Sequence, residues 1–341
     1  MATLRDIAKE AGVSVMTVSN VINGNHSKVS AETAKRIQEI VRRLNYIPNS
    51  TARSLTKRNS NIIAVILRGE DEHNALENPH NAALVGTIIN QIRKHGYYSM
   101  VSIMKSESEI SQSLQTWNVE GAVFLGMFDD EIEKMCSVTS IPIVFIDSYS
   151  DVRQLSNVGI DDYKGGQLAA RCLVQNHHEN VAFIGPTVKH TGVVQNRFAG
   201  FCDELRLYGQ SVKPEHHFTV HSDVDLNEID AIGAQLASFK NEITAAFVSS
   251  DQIASFLINS LRSHGVRVPE DISLIGFDDL PICQQLSPPL TTIAQNLTQK
   301  AVLAIDILFR RMKEPNSPAE SLILDVELKE RASVVNRKTA Q

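Results

Sequence analysis

TLRDIAKEAGVSVMTVSNVING, residues 3–24, carries two short amphipathic patterns broken at Gly12. Thr3 with Asp6 three positions later has the form of a capping box, so a helix starts there. Leu4, Ile7, Ala8 and Ala11 then recur on one helical face. Gly12 supplies the turn, and Ser14 caps a second helix. In that second helix Val18, Val21 and Ile22 face back onto the first. Val15, Met16, Thr17, Ser19 and Asn20 are left on or near the outside, where a core helix would expose charge. This is the form of a helix-turn-helix, whose second helix enters the DNA major groove. An ordinary helical hairpin with a solvated face is the alternative; the cap–Gly–cap order and the local charge speak against it.

A third helix starts at Ser30, with Ala34, Ile37, Ile40, Val41 and Leu44 on its apolar stripe. Lys35, Arg36, Arg42 and Arg43 stay outside. Three helices of this size bury little surface, so a domain spanning 1–47 is marginal alone. YIPNSTARSLTKRNSN (46–61) follows. Pro48 stops the third helix, and Asn49 or Ser50 can cap a short helix running to about Lys57. So short a helix forms only against a partner. Leu55, flanked by Arg53, Lys57 and Arg58, suits a wedge in the minor groove. A plain linker whose leucine packs on the next domain is the other reading.

Charge supports this division. The 341 residues carry a net −6, yet residues 1–60 hold ten lysines and arginines against four acids, a net +6, and the remainder carries −12. A basic head on an acidic body is the asymmetry of a DNA-binding module fused to something else. At 43% hydrophobic and 21% charged residues, the chain is globular and fills two or three domains. No stretch approaches the roughly 20 apolar residues of a membrane span. Arg5, Asp6, Lys9 and Glu10 interrupt any leader-like apolar run, so the expected location is the cytoplasm. Cys136, Cys172, Cys202 and Cys283 are scattered without a CxxC pair, which predicts thiols rather than disulfides or zinc. No metal and no cofactor is expected.

Beyond residue 60, apolar runs alternate with helical patterns. IIAVIL (62–67), YSMVSI (98–103), GAVFLG (121–126), IPIVFI (141–146), NVAFIG (180–185), AAFVSS (245–250) and ISLIGF (272–277) read as strands, and 82–95 is one of the helices between them. Near-continuous apolar strands separated by helices predict parallel sheets covered on both faces. Two lobes with a cleft accommodate them better than one very wide sheet. Ligands in such sheets sit beyond the C-terminal strand ends, which nominates Gly126 and Met127, Asp147 and Ser148, Ser250 and Asp251, and Asp278 and Asp279. Arg197 follows in a helix after NVAFIG. Aspartates facing an arginine suit a neutral polyol, because carboxylates accept from hydroxyls and a guanidinium forks onto a ring oxygen or vicinal pair. Asp251 and Asp279 could equally be helix caps, Asp161 and Asp162 read as caps of a helix from Tyr163, and Arg197 could simply pair with a carboxylate. His177-His178 and His216-His217 are adjacent pairs that do not converge on one metal, and they read as solvent-facing. No GxxxxGK[ST], GxGxxG or GxSxG occurs, and no nucleophile meets a base, so the cleft reads as a binding site and the chain as a non-enzyme.

The whole pattern resembles the LacI/GalR family of bacterial transcription regulators. The residues that carry the resemblance are TLRDIAKEAGVSVMTVSNVING, VSAETAKRIQEIVRRLNYIPNSTARSL, NPHNAAL, DISLIGFDD, PPLTTIAQN and LKERASV. The resemblance implies an α/β chain with an N-terminal three-helix helix-turn-helix domain (1–47), a hinge helix (48–60) and a two-lobed periplasmic-binding-protein-like domain with parallel sheets (61–341). By analogy the chain crosses between lobes near 160, 291 and 325, so lobe 1 spans about 61–160 and 292–324, and lobe 2 about 161–291 and 325–341. It implies a repressor that binds double-stranded operator DNA as a homodimer, with tetramers open, under control of a small effector, a sugar or sugar derivative. The alternatives are a protein or nucleobase corepressor and, in a different class, a sugar-binding transport protein. Candidate DNA contacts are Thr3, Ser14, Val15, Met16, Thr17, Ser19, Asn20, Asn23, Ala52 and Leu55. Candidate effector contacts are His80, Asn81, Met127, Asp147, Val193, Arg197, Ser250 and Asp278.

Two departures matter. Asn20 stands where the family usually has arginine; arginine prefers guanine and asparagine adenine, so a changed operator base is expected. RGEDEHNALENPHNAAL (68–84) is longer than usual, and His80-Asn81 replaces an aromatic pair. That loss of stacking leaves room for a more polar ligand, such as a charged or phosphorylated sugar.

Overall fold

The computed structural model describes residues 2–22, 24, 29–46, 60–69, 75–104, 107–127, 129–148, 154–186, 192–221 and 225–338. Asn23, Ala52, Leu55 and the expected hinge helix lie outside the described residues. The chain divides into two compact units, residues 1–60 and 61–341.

The first unit holds α1 (Leu4–Ala11), α2 (Val15–Ile22) and α3 (Ala31–Arg43). Each begins on a hydroxyl that accepts an otherwise orphaned backbone N–H. Thr3 accepts from Asp6 N while Asp6 accepts from Thr3 N, the reciprocal box expected. Ser14 accepts from Thr17 N and Ser30 from Thr33 N. Gly12 closes α1 at φ 63°, a left-handed conformation in which it donates to Ala8 O. Ile7, Ala8 and Ala11 of α1, Val18 and Val21 of α2, and Ala34, Ile37 and Ile40 of α3 form the core, with Val13, Val29 and Tyr46 packed around it.

The second unit is a pair of doubly wound lobes. Lobe 1 contains β1 (Ile62–Arg68), α4 (Pro79–Lys94), β2 (Tyr98–Met104), α5 (Glu107–Thr116), β3 (Gly121–Leu125), α6 (Asp129–Val138), β4 (Ile143–Ile146) and β5 (Asn157–Ile160). Lobe 2 contains α7 (Asp162–Gln175), β6 (Val181–Pro186), α8 (Val193–Leu207), β7 (His217–Val220), α9 (Leu226–Ser238), β8 (Ala245–Val248), α10 (Asp251–Ser263), β9 (Ser273–Asp278) and β10 (Thr291–Ala294). The chain then returns to lobe 1 for α11 (Leu297–Lys313) and β11 (Ser321–Leu324), and ends in lobe 2 with β12 (Glu327–Lys329). The sheet orders are β11-β5-β4-β3-β1-β2 and β12-β10-β9-β8-β6-β7. All pairings are parallel except β10 with β12.

Strand alternation explains the layers. In β1, Ile63, Val65 and Leu67 pack with Leu84, Ile88, Ile305 and Leu308 of α4 and α11. Ala64 and Ile66 pack on the other face with Ile110, Leu114, Ile132 and Met135 of α5 and α6. Lobe 2 repeats the arrangement, with Ile184, Val248 and Leu274 toward α9 and α10, and Phe183, Phe247 and Phe277 toward α7 and α8. Being buried on both faces is why these strands read as continuous apolar runs.

The lobes are joined at 161, 295–296 and 325–326. The middle crossing falls later than the expected 291, because TTIA forms β10 in the lobe 2 sheet. Its two threonines hid it: both are buried, with Thr291 Oγ1 accepting from Arg331 N and Thr292 Oγ1 donating to Asp251 Oδ1 at 2.6 Å. Among the described residues, no helix is long and apolar enough to cross a membrane.

Candidate DNA-reading face and inter-lobe cleft

In the first unit, α2 turns Val18 and Val21 into the core and leaves Val15 and Met16 outside, Met16 at 72% exposure. A long apolar side chain held in solvent, away from the core that Val18 and Val21 enter, fits contact with thymine methyls. Ser14 is exposed, while Thr17, Ser19 and Asn20 are half-buried along the flanks. Ser14 and Thr17 share a 2.9 Å hydroxyl bond that stiffens the first turn. Thr3 is committed to the α1 cap, so its backbone and hydroxyl position the helix start. An Arg43–Glu10 ion pair ties α3 to α1.

In the second unit, the ends of β4, β8 and β9 converge with the three crossings. Asp147 follows β4 at φ 53°. Both of its oxygens accept from Lys300 Nζ, at 2.8 and 2.7 Å. Lys300, on the first turn of α11, is fully buried and also donates to Gln295 Oε1 at 2.5 Å. Gln295, on the middle crossing, donates from Nε2 to Asp278 Oδ1 at 2.6 Å. Asp278 ends β9 at φ 120°, followed by Asp279 at φ 58°. Asp251 Oδ2 accepts from Leu280 N at 2.8 Å, pinning the turn just past these two residues. Burial and the neighbouring charge of Asp278 push the Asp251 pKa upward.

Arg197, 7% exposed, lies over the Phe277 ring with its guanidinium carbon 3.5 Å from the centroid. Its Nε donates to Asp162 Oδ1 at 2.8 Å and its Nη1 to Ser249 O at 2.7 Å. Burial opposes the charge on Arg197, but Asp162, Asp278 and Asp147 outweigh it and hold the pKa above its usual value. Burial raises Asp162 to about 6, partly countered by Arg197. The guanidinium is therefore fixed on two sides, and Nη2 has no hydrogen-bond partner among the described residues.

Close backbone contact sets this geometry. A Cβ on Gly166 of α7 would lie 2.0 Å from Arg197 O, and one on Gly200 of α8 would lie 1.9 Å from Tyr163 O. Only glycine lets the helices bearing Asp162 and Arg197 approach this closely.

The sequence-nominated residues separate into distinct groups. Asp147, Arg197 and Asp278 come together. Val193 stands at the start of α8, half-buried. His80 and Asn81 are in the first turn of α4, where Asn78 Oδ1 accepts both of their backbone N–H groups. Asn81 Nδ2 donates to Ala75 O, and His80 Nε2 is buried without a partner among the described residues. Met127 points into the lobe 1 core at 2% exposure, so its side chain is turned away from the strand-end cluster. Ser250 is the N-cap of α10, its Oγ accepting from Ile253 N. Asp279 pairs with Arg331 rather than capping a helix.

Asp162, Phe277, Gln295 and Lys300 were missed. Asp161 does cap α7 as expected, but Asp162 is taken up by Arg197. The histidine pairs also differ from expectation. His177 is exposed, but His178 is fully buried between Thr244 and Val335 O, and His216 is 1% exposed. His217 is half-buried and stacks on Phe198. Adjacent residues at a strand entry face opposite ways, so one of each pair can enter a core. All four cysteines are free thiols, Cys172 and Cys283 buried.

Residues 3–49 match the model of bacterial regulatory proteins of the lacI family, and residues 170–334 match the periplasmic binding protein-like domain. The ribose operon repressor of Haemophilus influenzae is 31% identical, over 99% of this chain and 100% of that protein. The transcriptional repressor PurR of Pasteurella multocida is 28% identical, over 99% and 100%. Among solved structures, a lac repressor dimer bound to operator and the anti-inducer ONPF is similar at a TM-score of 0.84 and 26% identity, covering 98% of this chain and 99% of that one.

Proposed function

The chain belongs to the LacI family of DNA-binding transcriptional repressors, and from that premise we propose that it binds a two-half-site operator as a homodimer under control of a neutral, carbohydrate-like effector held between its lobes. One observation carries the effector reading. Arg197 is locked by Asp162, Ser249 and Phe277 so that Nη2 is its one nitrogen with no partner among the described residues, and Asp278 Oδ2 is an acceptor with no partner among them. A donor and an acceptor at the meeting of strand ends suit a vicinal diol, which offers both. Lys300 is saturated by Asp147 and Gln295. Among the described residues at these strand ends, Arg197 is thus the one cation with a donor to spare, which favours a neutral sugar over the phosphorylated one that the first loop suggested.

On the DNA side, α2 reads the major groove through Val15, Met16 and Asn20, with Ser14, Thr17 and Ser19 beside them, and the family resemblance assigns Asn23 to the same contact. Thr3 sits at the rim, and Ala52 and Leu55 reach the minor groove. One such unit offers too few contacts for operator affinity, which is why a dimer is required. The mechanism is a two-state linkage: effector binds one lobe arrangement better than the other and shifts operator affinity by that difference, typically about 1–3 kcal/mol.

The test is a thermal-shift screen of pentoses, hexoses, their phosphates and nucleobases, followed by operator titration with each hit. A neutral sugar that changes operator affinity in the wild type and not in Asp278→Ala is expected. Hits confined to phosphates or nucleobases would overturn the effector class and leave the DNA reader standing.

A further inference from the structure

Lys300 is a fully buried cation on a helix whose other buried residues are Ala301, Ala304, Ile305, Ile307, Leu308 and Phe309. Burying an ammonium is costly unless every proton is bonded. Here all three are: two to Asp147 and one to Gln295 Oε1. Asp147 and α11 belong to lobe 1, Gln295 lies on the crossing, and Asp278 belongs to lobe 2. The bonds therefore form one uninterrupted chain, Asp147–Lys300–Gln295–Asp278, from one lobe to the other.

The polarity of this chain is fixed by Lys300. An ammonium only donates, so it compels Gln295 to turn its carbonyl toward α11. The amide nitrogen is then aimed at Asp278 Oδ1 at 2.6 Å. Without the ammonium, the Gln295 amide has no reason to hold that orientation, and Asp278 loses the donor that sets its carboxylate plane. Asp278 also sits at φ 120°, a backbone state that needs support from its surroundings.

We propose that Lys300 is a positioning residue that couples the lobes, holding Asp278 of lobe 2 in place from lobe 1 through Gln295. This deepens the effector reading of the cleft and rests on it only for its consequence: an effector that engages Asp278 pulls on a chain rooted in lobe 1. The coupling itself exists in the free protein.

A double-mutant cycle on the full chain tests it without any effector. Unfolding equilibria in urea are measured for wild type, Lys300→Met, Asp278→Asn and the double variant. Coupling of tenfold or more in the unfolding constant is expected between Lys300 and Asp278, and Gln295→Ala should reduce it to less than twofold. A buried charge with only a local packing role would couple to Asp147 and not to Asp278. Additivity of Lys300 and Asp278 within twofold overturns the proposal, as does coupling that persists in the Gln295→Ala background. Should Lys300→Met fail to fold, the same cycle is run with Lys300→Gln, whose uncharged amide keeps two donors where the ammonium had three, and the same thresholds apply. Lys300→Arg keeps charge and donors and is expected to restore at least half of the coupling. A protein that passes this cycle yet responds to no sugar retains the coupling and loses the effector assignment; the reverse pattern does the opposite.

Discussion

At the residue scale, the cleft turns on how few groups remain unpaired. Arg197 is paired within the protein, as one of the sequence alternatives had it, and the pairing is what aims it. Arg197→Met should abolish sugar binding by calorimetry, a loss of at least a hundredfold, with operator binding retained; unchanged sugar affinity would remove Arg197 from the site. Asn20 makes the corresponding statement for DNA. An amide recognises adenine where a guanidinium recognises guanine, and each good bidentate pair discriminates by about 1–3 kcal/mol. In a binding-site selection, Asn20→Arg should shift one symmetric operator position toward guanine. The caps and turn of the first unit were legible because they are local: Thr3, Asp6, Gly12, Ser14 and Ser30 act within four residues. Lys300 was not legible. A lysine on the first turn of an amphipathic helix ordinarily reaches solvent, and its carboxylate lies 153 positions away in the chain.

At the scale of elements, six of the seven apolar runs were legible because two-sided burial leaves a continuous apolar record, while β2, an edge strand with Tyr98 and Val101 exposed, was legible from its β-branched and aromatic residues. β5, β7, β10, β11 and β12 were not. β5 contains a buried Asn157, β10 two buried threonines, and β11 is an edge strand with Ser321 and Ile323 exposed. Polar side chains satisfied by distant partners erase the periodicity that marks a strand. The α7–α8 pair tells the same story through glycine. Gly200→Ala would drive a methyl into Tyr163 O, a backbone atom that moves only if the helix moves. A stability loss of about 2 kcal/mol or more is expected in urea, together with weakened sugar binding as Arg197 shifts; an unchanged midpoint would contradict the packing described.

The buried His178 joins the C-terminal segment to lobe 2, with Nε2 donating to Val335 O. Burial lowers its pKa to about 4 from 6.5. Between those values only the unfolded chain takes up the proton, so stability is full above pH 6.5 and falls as pH drops toward 4. From pH 7 to pH 5 the loss assigned to this residue is about 2 kcal/mol. Urea midpoints at the two pH values should show it, and His178→Gln should remove most of that slope.

For the whole molecule, the claim is that a basic DNA-reading unit and a two-lobed binding unit act as one linked system. Removing everything after residue 60 should lower operator affinity by orders of magnitude, since on the proposed dimer the fragment would lose its hold on the second half-site. Charge already separates the two roles, +6 against −12. Phosphate attraction therefore belongs to the small unit, and the acidic body resists non-specific adhesion to DNA. The most direct test is operator titration of the full chain at fixed salt, with and without a saturating sugar identified by thermal shift, in wild type and in Asp278→Ala. A change of fivefold or more in the operator Kd of the wild type, and none in Asp278→Ala, is the predicted result. An operator affinity indifferent to every bound sugar, or one that shifts equally in the variant, would contradict it.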